Sequence, residues 1–259
     1  MKHKYLYLSL IVLSGLGIFF CTRMTNMTAQ LRKAPTGFAV MELFTSEGCS
    51  SCPPAYIVAE GIQDEFRKKN SNVIMLDFHV DYWNSLGWTD PFSDSAYSKR
   101  QNNYSKALRI DDVYTPQAFV NGKTAFVGSL YQKTKSTIQD AIEENPKMKL
   151  TISPKVSQSQ YIDVNYELSN LSPELVINIA ITENSVTSNV LKGENAGKTL
   201  THFNVVRSFN TFPVSNVKGI ARIEYPNFSS KSGIKLVAYV QDAKTMEIYS
   251  ADSYPLNLN

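Results

Sequence analysis

Hydrophobic and polar positions change rhythm along this chain. Residues 5–20 are a nearly unbroken apolar run without charge, behind the basic start Lys2-His3-Lys4. The run is short for a membrane span, which takes about 20 apolar residues, and has the length of a signal-peptide core. From residue 37 to about 144, apolar runs alternate with amphipathic stretches. Residues 38–44 read as a strand. Residues 55–69 read as a helix, with Ile57, Ile62 and Phe66 on one stripe and Asp64, Glu65, Arg67 and Lys68 away from it. Residues 72–83 begin as a buried strand through Val73, Ile74, Met75 and Leu76, and residues 93–108 form a polar helix with Ser93 or Asp94 as its N-cap. Strands at 117–120 and 124–128 flank Asn121-Gly122, both of which tolerate positive φ in a tight hairpin. A helix over 136–144 ends before Pro146.

After Pro146 the helical stripes vanish. Segments 149–153, 161–168, 175–181, 202–209, 221–225, 234–241 and 248–250 alternate polar and apolar residues between turn residues, the pattern of an antiparallel sandwich. The expected organisation has three parts. Residues 1–29 are a signal peptide or N-terminal anchor, residues 37–146 an α/β domain with a helical insertion at 84–112, and residues 147–259 an all-β sandwich-like domain.

Charge narrows the partners. The chain carries 26 Lys and Arg against 23 Asp and Glu. Lys2, Lys4 and Arg23 lie in the export segment, so the remainder balances at 23 to 23. No basic surplus is left for nucleic acid or an anionic membrane surface. Met27-Thr28-Ala29 partly matches a small-x-small cleavage site, and cleavage there removes Cys21. The expected location is the periplasm or cell envelope. The alternatives are an anchor of residues 5–20 or lipidation at Cys21, and only these bring a membrane into contact.

Two cysteines then remain, Cys49 and Cys52, an even pair in an exported chain. Spaced by two residues, they can close a disulfide or open to a dithiol. A bridge closing so small a loop restricts the unfolded chain little, so redox chemistry explains the spacing better than stability does. Cys49 follows a strand and a short polar turn and precedes a helix, where amide donors and the helix dipole favour thiolate. Pro53 and Pro54 suit a first helical turn. They also bias Cys52 away from helical φ and ψ. A zinc site needs four Cys or His ligands, and Cys49, Cys52, His79 and His202 fall in different halves of the chain. A copper site of both thiols with His79 stays a third alternative. No cofactor motif is present: Gly193-Glu194-Asn195-Ala196-Gly197-Lys198-Thr199 has three residues between its glycines where a phosphate loop has four, and reads as a hairpin loop.

Residues 37–144 resemble the thioredoxin superfamily, through Met41-Glu42-Leu43-Phe44 leading to Cys49-Ser50-Ser51-Cys52, and through Tyr114-Thr115-Pro116-Gln117-Ala118-Phe119-Val120-Asn121-Gly122-Lys123. The whole mature chain resembles more closely the exported family called domain of unknown function 1223. The stretches that carry this are residues 42–54, His79-Val80-Asp81-Tyr82-Trp83, Leu86-Gly87-Trp88-Thr89-Asp90-Pro91-Phe92, Gly193-Glu194-Asn195-Ala196-Gly197-Lys198 and Asn204-Val205-Val206-Arg207. The resemblance implies an α/β thioredoxin-like domain followed by a β-rich part. It makes Cys49 the attacking thiol, Cys52 the resolving one, and Pro116 a cis-proline that leaves the Thr115 backbone free to pair with a substrate peptide. It makes Glu42 the candidate buried acid that relays a proton, one residue further from the cysteines than the pattern expects. The competing reading of Glu42 is a solvated strand-edge residue.

His79 and Asp81, two apart at a strand end, are candidates for a His–carboxylate pair, and Trp83 and Trp88 for lining the groove beside Cys49. The competing reading makes the tryptophans loop anchors. The expected function is exchange of disulfides with protein or peptide thiols and disulfides, without cofactor or metal. The rival is an envelope binding protein whose Cys49–Cys52 bridge is structural.

Overall fold

Strand β1 (Phe38–Thr45) is buried at every position, because it lies inside a sheet covered on both faces. The computed structural model describes residues 37–157, 160–228 and 232–258. The expected export segment, with Cys21, lies outside them. The elements then run α1 (Pro53–Arg67), β2 (Asn72–His79), a 3₁₀ turn (Asn84–Leu86), α2 (Ser95–Leu108), β3 (Gln117–Val120), β4 (Thr124–Val127) and α3 (Tyr131–Glu143). The strands β5 (Leu150–Val156), β6 (Tyr161–Leu168), β7 (Leu175–Asn189), β8 (Thr199–Pro213), β9 (Lys218–Glu224), β10 (Ile234–Asp242) and β11 (Ile248–Pro255) follow.

The expected α/β thioredoxin-like domain is not what forms. The protein is mostly β, and one mixed sheet of eight strands, in the order β11-β10-β7-β8-β2-β1-β3-β4, takes strands from both halves of the sequence. A second sheet, β5-β6-β9, has three. The seam is between β2 and β8, which run parallel with Asp77 opposite Val205. An unpaired β2 edge would leave backbone donors and acceptors open; β8 closes it, so the sheet does not end where the first half of the sequence does. The described residues from Gly37 on form one compact unit.

Alternation sorts the core into layers. Met41, Leu43 and Met75 pack in one cluster with Ile62 and Phe66 of α1 and Ile138 and Ile142 of α3. Val40, Phe44, Leu76 and Phe78 point the other way, to Tyr97 and Tyr104 of α2. The three-stranded sheet turns Ile152, Ile162 and Val164 onto Ile177, Ile179, Leu236 and Ala238 of the large sheet.

Local signals held where chemistry was local. Asp94 caps α2, its carboxylate accepting from the Ala96 N–H, and Asn121 and Gly122 take φ of 48° and 67° between β3 and β4. Two expectations fail. Ile57 is 73% exposed; Ala55, Tyr56, Ala59, Ile62 and Phe66 form the buried stripe of α1. β7 and β8 each run 15 residues, well beyond 175–181 and 202–209, because their polar outer halves interrupt the apolar alternation.

Candidate functional site

The chain leaves β1 through a tight turn that ends in α1. The Cys49 N–H donates to the Ser46 carbonyl at 3.2 Å and the Cys52 N–H to the Cys49 carbonyl at 3.2 Å. Cys52 is the N-cap of α1, with Pro53 and Pro54 at its first two positions. Its φ and ψ of −78° and −38° are helical, so the bias imposed by the following proline is overridden here. Cys49 and Cys52 are joined in a disulfide with Cα atoms 5.5 Å apart. Both residues are fully buried, while Ser50 and Ser51 are exposed.

Thr115-Pro116 lies against the bridge with a cis peptide bond. The Thr115 carbonyl is 3.7 Å from the Cys49 sulfur, and the Ser51 Oγ is 3.2 Å from it. Trp83 donates from Nε1 to the Thr115 hydroxyl at 2.8 Å. Trp88 donates to the Glu47 carboxylate at 2.8 Å. Both tryptophans are thus brought to the turn, each held by an indole N–H.

Glu42 is not brought there. It sits on the opposite face of β1, where Arg100 of α2 pairs with both its oxygens at 2.7 Å. Tyr104 and Tyr239 donate to the same carboxylate at 2.8 and 2.9 Å. The buried acid on the disulfide's side of the sheet is Asp77, which stands opposite Leu43 in the β1–β2 register. Neither of its oxygens has a hydrogen-bond partner, and burial pushes its pKa up to about 8. Asp77 lies inside the apolar run of β2, and an acid in such a run is itself the signal.

His79 and Asp81 do not pair. β2 ends at His79, so the two-residue periodicity stops before Asp81, which pairs with Ser98 instead. His79 Nδ1 lies 2.7 Å from Asp90. Burial opposes the charge on that imidazole, but the Asp90 carboxylate outweighs it and raises the His79 pKa. Burial likewise works against ionised Asp90, and His79 with the Glu47 and Phe92 N–H groups holds it low. Both shifts favour the charge-separated form, an imidazolium beside a carboxylate.

A second pair comes from the far half of the sequence. His202 of β8 lies 2.9 Å from Glu47 through Nε2. Burial would raise the Glu47 pKa, but bonds from His202, Ser188 and Trp88 hold it below the ordinary range. Burial lowers the His202 pKa. A neutral His202 beside an ionised Glu47 must carry its proton on Nε2 and donate. The two imidazoles meet edge to face at 4.9 Å between centroids, with Tyr56 stacked on His79 and edge-on to His202. His79 Nε2 and His202 Nδ1 have no partner. Among the described residues no three His, Cys, Asp or Glu side chains are grouped to hold a metal ion, and both cysteine sulfurs are consumed in the disulfide.

The loop between β7 and β8, which read as a plain hairpin loop, closes on the turn. Asn195 Nδ2 donates to the carbonyls of Glu47 and Cys49 at 2.8 and 2.9 Å. Glu194 accepts from the Ser50 N–H at 2.9 Å. These contacts span about half the chain, and no local pattern announces them.

Among the described residues no helix is long and apolar enough to cross a membrane. No curated protein matches the chain. Its fold is shared with a crystallised protein of Agrobacterium tumefaciens, 23% identical, covering 88% of this chain and 96% of that one with a TM-score of 0.63. HBP35 of Porphyromonas gingivalis is also similar, at 15% identity, 85% and 76% coverage and a TM-score of 0.61. At these identities the likeness concerns fold alone. The family model described as protein of unknown function (DUF1223) matches residues 40–241, and the chain belongs to that family.

Proposed function

We propose that this protein is an exported thiol–disulfide oxidoreductase that exchanges disulfides with protein or peptide partners through Cys49 and Cys52. One observation carries the reading: a disulfide between cysteines three apart, closed at the start of a helix and laid against the Thr115-Pro116 backbone. The bridge ties so short a loop that its entropic contribution to stability is small, whereas a helix start favours thiolate when it opens.

In the reducing direction the Cys49 thiolate attacks one sulfur of a partner disulfide, and that partner's other sulfur leaves as thiolate. Cys52, deprotonated, then attacks the Cys49 sulfur and releases the second partner thiolate. The partner gains two electrons and the Cys49–Cys52 disulfide re-forms. Starting from the disulfide, the same steps reversed oxidise a partner dithiol. Asp77, on the same face of the sheet and protonated up to about pH 8, is the buried acid suited to exchanging a proton with the resolving cysteine.

The full burial of both cysteines favours a second reading, in which the bridge is a structural clasp of an envelope binding protein. Equilibration in glutathione or dithiothreitol buffers separates the two. An oxidoreductase pair titrates reversibly between about −120 and −270 mV, whereas a structural bridge stays closed to below about −300 mV. Titration only below that limit would overturn the proposal.

A further inference from the structure

Helix α1 has no acidic residue in its first turn. A negative charge nevertheless stands at its start, delivered from 144 residues away. Glu194 is exposed, and its Oε2 accepts the Ser50 N–H at 2.9 Å. Hydrogen bonding from the Ser50 side chain, with its backbone N–H, lowers the Glu194 pKa. Ser50 follows Cys49 directly, so its amide is among the nearest donors to a Cys49 thiolate. The carboxylate therefore does two things at once: it occupies a donor that a thiolate would use, and it adds like charge beside it.

The loop that carries Glu194 is tied down. Asn195 is fully buried and grips the carbonyls of Glu47 and Cys49 on either side of Gly48, and Lys198 donates to its Oδ1 at 2.9 Å. The Val190 N–H donates to the Lys198 carbonyl and the Gly197 N–H to the Val190 carbonyl. Gly193, at φ +77°, brings the loop so close to Trp88 that a Cβ would stand 3.2 Å from the tryptophan Cβ. The other carboxylates around the turn already have partners: Glu47 accepts from His202, Ser188 and Trp88, and Asp90 is paired with His79. Of the loop's two lysines, Lys192 and Lys198, the second donates to Asn195.

We propose that the β7–β8 loop is a clamp on the redox turn, in which Asn195 fixes Cys49 and Glu194 is a positioning residue that keeps the Cys49 thiol less acidic than its helix-start location dictates. This rests on the oxidoreductase reading and extends it. The clamp favours the closed disulfide over the dithiolate. A partner polypeptide that displaces Glu194 from the Ser50 amide makes Cys49 more acidic at the moment of contact.

The test uses the fully reduced full-length chain and follows the rate of Cys49 alkylation by iodoacetamide against pH, for the wild type, Glu194→Gln and Glu194→Lys. Removing one screened charge at contact range lowers the Cys49 pKa by about half a unit, which multiplies the thiolate fraction below the pKa by about three. Glu194→Lys shifts it further in the same direction. Glu194 is exposed, so both variants keep the fold, which circular dichroism checks. Profiles identical to the wild type in both variants overturn the clamp. Because the protein is reduced beforehand, this result is independent of the wild-type reduction potential: a bridge locked below about −300 mV overturns the oxidoreductase reading without altering the alkylation comparison.

Discussion

Arg100→Met tests whether the buried ion pair on the side of the sheet away from the disulfide holds the two halves of the chain together. Arg100 is 8% exposed. Its guanidinium makes two bonds of 2.7 Å to Glu42 of β1, one of 2.9 Å to Tyr239 and one of 3.1 Å to Gln241 of β10. It also lies over the rings of Tyr104 and Phe209, 5.0 and 4.8 Å from their centroids. Methionine keeps most of the volume but leaves the Glu42 carboxylate buried with two tyrosine hydroxyls and no counter-charge. Removing one partner of a buried pair costs about 3–5 kcal/mol. For a chain of this size each kcal/mol lowers Tm by about 2–4 °C, so the melting point falls by about 6–20 °C. Thermal melts of the oxidised protein, followed by circular dichroism, read this directly. The double variant Glu42→Leu with Arg100→Met removes both charges and recovers much of the loss. A loss below about 1 kcal/mol in Arg100→Met, or a double variant no better than the single one, refutes the reasoning. The same series bears on Glu42 as a proton relay: a residue so placed leaves Cys49 alkylation unchanged in Glu42→Gln.

The buried Asp77 makes stability depend on pH in a defined direction. Its folded pKa of about 8 lies above the unfolded value of about 3.9, so its contribution is complete below about pH 4 and is lost as pH rises through 8, by at most about 6 kcal/mol. Asp77→Asn therefore raises Tm at pH 8.5 and leaves it nearly unchanged at pH 4; an equal gain at both refutes the assignment. Gly122 sits at φ +67°, where an added Cβ would collide with the Met246 carbonyl. Gly122→Ala is expected to cost more than 1 kcal/mol in urea unfolding, and a neutral result would mean the hairpin shifts to accommodate it.

The fold is legible in the sequence where the determining contacts are close along the chain. The α2 cap, the Asn121-Gly122 turn, the proline start of α1 and the strand periodicity of β6 are all set by neighbours within a few residues. The cysteine pair and Thr115-Pro116 were legible because each is a short motif. The failures share a cause at longer range. The apolar stripe of α1 was assigned through Ile57, yet the helix turns the small Ala55 and Ala59 inward beneath the sheet and leaves Ile57 in water. The α/β thioredoxin-like domain is what the motifs around Cys49–Cys52 and Thr115-Pro116 imply by resemblance, in a stretch, 37–144, that alternates strands and helices. Nothing in that stretch tells that β2 will accept β8 as its neighbour, 128 residues downstream by the Asp77–Val205 pairing.

That seam also explains why the site was half visible. The Cys49 turn is written in β1 and α1, but its immediate polar surroundings arrive on β7, β8 and the loop between them: Ser188, Glu194, Asn195 and His202. Their partners, Glu47, Cys49 and Ser50, lie 141 to 155 residues earlier. The sequence does carry a trace of this. Asn178, Thr182, Glu183, His202 and Asn204 are polar yet buried within β7 and β8, and buried polar groups require partners. A strand rich in such residues cannot be packed only against hydrocarbon, and for His202 the group waiting on the other side is the Glu47 turn. The second half of the chain is thus part of the disulfide turn's construction. Variants of the β7–β8 loop should therefore move cysteine chemistry, while variants on the outer face of β5, β6 and β9 should not.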